Sequence, residues 1–94
     1  MQMKHPLNFN VRDYPTLEDV ATAACNLRYD RLAEFLEFLA KKLEQDAAED
    51  KKKGRNRLSN CLREATFSSF ELQQHIKDAW SICKPYMEEA ENEK

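Results

Sequence analysis

The residues of this 94-residue chain best suited to chemistry are two histidines and three cysteines, and their spacing decides what is open to them. Nucleophilic catalysis needs a thiol or hydroxyl beside a base, with a third group orienting that base. His75 and Cys83 sit on the same predicted helix. They are separated by about 80° around it at 100° per residue, too far apart to act as a pair. His5 lies in an N-terminal arm, and Ser68 and Ser69 are accounted for as helix caps. No catalytic residue is assigned, and the chain is expected not to be an enzyme. Glu71, His75 and Asp78 follow i, i+4, i+7 and could offer a carboxylate–imidazole–carboxylate set to a metal. Such a site needs ligands from a second helix, and none is patterned for it. The three are read as a solvated polar face, with no metal, cofactor or small-molecule substrate expected. Cys25, Cys61 and Cys83 form no CxxC pair and fall on or beside apolar stripes. They are expected to be buried, reduced thiols of a cytoplasmic protein.

Binding chemistry is better represented. Residues 51–63 carry Lys51, Lys52, Lys53, Arg55, Arg57 and Arg63 with no acid, although the net charge of the whole chain is −2. A cluster of this kind could neutralise phosphates and release counterions. Two helices joined by a tight turn just behind it would permit a helix-turn-helix, with Gln73, Gln74, His75 and Lys77 turned to the groove. Glu64, Glu71 and Asp78 place acids where phosphates would approach. Three lysines and a glycine are also how a helix ends without any ligand. Nucleic-acid binding through Lys51, Lys52, Lys53, Arg55 and Arg57 is therefore the alternative function.

The leading function rests on apolar residues that the helical stripes leave over. Phe38 lies more than about 100° from the centre of the Leu32/Leu36/Leu39/Leu43 stripe on a helical wheel, with Phe35 between them. An aromatic ring would face water there unless another surface covers it. Leu7, Phe9 and Val11 alternate with polar residues, which predicts an extended arm with one apolar side. That arm either lies across the helices or pairs with the same arm of another copy. Leu7, Phe9, Val11, Phe35 and Phe38 are the predicted interface, for a protein partner or a second copy. Removing excess apolar surface by association would help a core this small.

The elements that must position these residues are helices. There is one glycine, so few tight turns are available, and 34% of residues are charged against 41% hydrophobic. That balance predicts a small all-α domain whose helices each keep a wet face. No apolar stretch is long enough to span a membrane, and the N-terminus has no signal-peptide core. Residues 1–15 are the predicted arm, 16–87 a bundle of about four helices, and 88–94 an acidic, frayed tail. The first helix starts at Thr16 with Asp19 at the third position, and its apolar face is Leu17, Val20, Ala21, Ala24 and Leu27. A break at Tyr29–Asp30, with Asp30 as cap, precedes a long second helix over 31–53 that Gly54 ends. A third helix covers 56–66. Ser68 with Glu71 forms a capping box, with Phe67 stapled onto Leu72, and opens a fourth helix that Pro85 stops or kinks. The second and fourth helices are expected to pack antiparallel, with the first and third filling the ends. The whole is expected to be an adaptor, regulator or accessory subunit that associates with itself or another protein.

Overall fold

A computed structural model describes residue 7, residues 11–13 and residues 15–92, with the backbone alone for Val11 and residues 88–92. A short 3-10 turn, Val11–Asp13, precedes three α-helices: α1 (Leu17–Cys25), α2 (Tyr29–Lys52) and α3 (Asn56–Asn92). The described residues contain no strand. The all-helical class is as expected, but three helices replace the predicted four.

The difference lies in α3, which runs without interruption through the supposed capping box. Ser69 Oγ donates to the Ala65 carbonyl at 2.7 Å and Thr66 Oγ1 to the Leu62 carbonyl at 2.9 Å. These hydroxyls are satisfied inside a helix, so none of the local polarity forces an end. Phe67 is exposed and Leu72 half in water, so no staple joins them. What carries the helix through is phase. Ser59, Leu62, Thr66, Ser69, Gln73, Ile76, Trp80, Cys83 and Met87 keep an unbroken 3,4 spacing across the site, and a break would lose that register. Pro85 lies inside the same helix. Its ring removes one backbone bond, from the amide it lacks to the carbonyl of Ser81, an exposed residue where water can replace it. Met87 beyond it is buried and holds the continuing turn.

α2 and α3 form an antiparallel hairpin. Ala33, Ala40 and Ala47 recur every seven residues along α2 and are 4, 0 and 2% exposed. Their small side chains let the two backbones approach, so that polar side chains of α3 reach main-chain atoms of α2. Ser59 Oγ donates to the Ala47 carbonyl at 2.7 Å and Gln73 Nε2 to the Ala33 carbonyl at 3.0 Å. The two bonds are two heptads apart on both helices, so the register holds between them and sets buried Thr66 opposite Ala40. Each accepting carbonyl uses a second lone pair, since the first serves its own helix.

The hairpin turn is closed as expected by Gly54, whose φ is +78°, and the Arg55 amide donates to the Asp50 carbonyl. At the other end α1 packs on α2. Thr16 caps α1 by accepting from the Asp19 amide at 3.0 Å, as its sequence implies. Its inward face is Ala23 and Ala24, continued by Leu27 just beyond it, and not Leu17 and Ala21, which are exposed. The chain breaks at 26–28 rather than at Tyr29–Asp30, because buried Leu27 pins the connection and joins Leu32 and Leu36 in the core. Asp30 is consequently inside the first turn of α2. It accepts from Arg28 Nε at 2.7 Å and Nη2 at 2.8 Å rather than acting as a cap. The Arg28 guanidinium also stacks 5.2 Å from the centre of the Trp80 ring, tying the start of α2 to α3.

Candidate protein interface

The hairpin is a thin plate with two unlike faces. On one, Glu37, Glu44 and Lys51 of α2 lie alongside Arg63, Phe70, Lys77 and Lys84 of α3, each one position after a seam residue in the heptad. Glu44, Arg63, Thr66, Phe67 and Phe70 line a shallow groove there. It holds one acid, one base and two partly wet aromatic rings, and no base–nucleophile pair. The opposite face is partly apolar. Its apolar part is Leu39 of α2, which Asp46 and Lys53 follow by sevens, and a column of α3, Leu58, Ala65, Leu72, Ala79 and Tyr86. Leu58 and Leu72 are 47 and 49% exposed, Tyr86 is 71% exposed, and Ile82 beside them 72%. α3 thus has two apolar seams, one buried on α2 and one facing outward.

The predicted interface residues fall near this face in part. Phe38 is 60% exposed on the side of α2 turned away from α3, as the helical wheel implies. Phe35 is half-buried and packs against the Leu27/Leu32/Leu36 cluster, so most of its ring belongs to the core. Leu7 is exposed, and its carbonyl accepts from Arg31 Nε at 3.0 Å, one turn before Phe35. Arg31 also pairs with Glu34 at 2.8 Å. Val11 stands in a helical turn rather than an extended arm, because Val11–Asp13 close a 3-10 bend, and its side chain lies outside the described residues. Phe9 lies wholly outside them. The outward seam of α3 was missed by sequence reasoning because the supposed break at 67–69 hid its continuous period of seven.

The basic residues Lys51, Lys52, Lys53, Arg55 and Arg57 are all exposed at the tip of the hairpin. Arg55 is partly engaged, with Nη1 3.2 Å from Oδ1 of buried Asp50. The helix-turn-helix is not formed, since α3 has no turn between its halves. Among the described residues no three His, Cys, Asp or Glu side chains gather as a metal-binding group. Asp78 accepts from Gln74 Nε2 at 3.1 Å. All three cysteines are free, but their burial departs from expectation: Cys25 and Cys61 are exposed and Cys83 is half-buried, because the stripes that turn inward beside Cys25 and Cys61 are not the predicted ones. Among the described residues no helix is long and apolar enough to cross a membrane.

Set against protein-family models, curated proteins and solved structures, the chain matches none of them.

Proposed function

We propose that this chain is a non-enzymatic helical protein–protein interaction module, an adaptor, regulator or accessory subunit, that works by burying apolar helix surface against another protein. One observation carries the reading. The chain exposes 7247 Å². A globular monomer of its mass would expose roughly 5,700 Å². The excess is larger than the share of about 800 Å² that one partner contributes to a standard interface. Large apolar side chains, among them Phe38, Leu39, Leu58 and Leu72, contribute to that exposed surface. Nothing of comparable strength points to a reaction.

The test is capture of partners by the tagged wild type and by Phe38→Asp and Leu72→Lys variants. Phe38 and Leu72 are half or more in water, so circular dichroism should find helicity unchanged while protein partners are lost. Identical partners for wild type and variants alike would contradict the proposal. The exposed basic tip favours a second reading, nucleic-acid binding. It predicts DNA or RNA binding that weakens steeply with salt and disappears when Lys52, Lys53, Arg55 and Arg57 become Gln. No retention on heparin at low salt would remove it.

A further inference from the structure

We propose that the outward seam of α3 is covered by α3 of a second copy of this chain, packed antiparallel, so that two hairpins complete a four-helix bundle. This rests on the interaction-module reading above and names its occupant and geometry. Three observations select a second copy. The first is that the seam reads alike in both directions. Leu58, Ala65, Leu72, Ala79 and Tyr86 are bulky at the ends and centre with alanines between. A surface of that kind can meet itself across a two-fold axis perpendicular to the helix. With the axis at Leu72, Ala65 faces Ala79 of the partner subunit and Leu58 faces Tyr86 of the partner subunit. The alanine layers then permit the close approach already seen between α2 and α3.

The second is charge. In that register the basic hairpin tip, where α3 begins at Asn56, lies opposite the far end of the other copy's α3, whose sequence over 87–92 holds three glutamates and no basic residue. A parallel pairing would instead stack two basic turns on one another and two acidic runs likewise. Opposite charge therefore sets the orientation, and apolar burial supplies the attraction. The third is area. The exposed surface exceeds that of a globular monomer of this mass by more than the roughly 800 Å² that one partner hides in a standard interface.

Sedimentation equilibrium on the full chain across a dilution series tests the proposal. The expected result is a mass that rises from 11.1 kDa toward twice that value. Leu72→Lys and Ala65→Glu should each weaken the dimer about tenfold or more with helicity retained. Reversing Lys52, Lys53 and Arg57 to Glu should weaken it further at low salt, and adding Glu88→Lys, Glu89→Lys and Glu91→Lys should restore it. A mass of 11.1 kDa at every concentration would overturn the proposal while leaving the capture experiment to decide whether another protein is bound. A dimer strengthened by the first charge reversal would overturn it too, because only the parallel arrangement gains from that change. A dimer indifferent to Leu72→Lys would also overturn it.

Discussion

Gln73 shows how much of this molecule turns on single polar contacts. It is 6% exposed, and its amide donates to the Ala33 carbonyl across the seam. Gln73→Glu keeps the shape and exchanges a donor for a carboxylate aimed at a carbonyl. The loss should be on the order of 2–4 kcal/mol in urea unfolding at neutral pH, whereas Gln73→Met, which removes the polarity, should cost under about 1.5 kcal/mol. Asp30 makes a smaller, pH-dependent contribution. Its carboxyl is held below the usual range chiefly by the hydrogen bond from Arg28 and then by that residue's charge, against the opposing effect of partial burial. The native state therefore binds fewer protons than the unfolded chain. The stabilisation is present above the ordinary carboxylate pKa and is lost as pH falls through the depressed one. Asp30→Asn should cost under about 1 kcal/mol at pH 7, with the gap to wild type closing below about pH 4. A gap that widens in acid would refute the assignment.

The helices themselves were legible to different degrees. The end of α2 at Gly54 and the Thr16 cap of α1 are set by local chemistry, a left-handed residue and a hydroxyl within reach of an amide, and they stand where the residues imply. The serine pair is the instructive failure. A capping motif states a possibility, and the seam on α2 decides it, because tertiary burial along an unbroken heptad outweighs one local cap. Ser68→Ala separates the two accounts by sign. Within a continuous helix the exposed Ser68 gains helix propensity, so the variant should be more stable by about 0.3–0.5 kcal/mol. An N-cap would lose about 1 kcal/mol. The inner faces of α1 and of Cys61 were misread for a related reason. Several small residues fit either of two adjacent stripes, and only the partner helix selects one. The exposure of Phe38 was legible, because one aromatic residue stands clear of its stripe. The α3 seam was not, since its period emerges only once α3 is known to be one helix.

At the scale of the molecule, the distinguishing property is elongation. The Cα radius of gyration is 16.5 Å, and the extents are 57 × 30 × 15 Å. A compact domain of this length would have a radius of gyration of about 12 Å. Two long helices in a single layer have only one seam to share, so among the described residues the second apolar stripe of α3 stays largely exposed. That geometry supports the proposed binding role. Small-angle X-ray scattering over a dilution series tests it most directly. The account predicts a radius of gyration near 16.5 Å at the dilute limit and forward scattering per unit mass that climbs with concentration. A radius near 12 Å with concentration-independent scattering would contradict it, since a chain folded that tightly would already hide the surface on which the function depends.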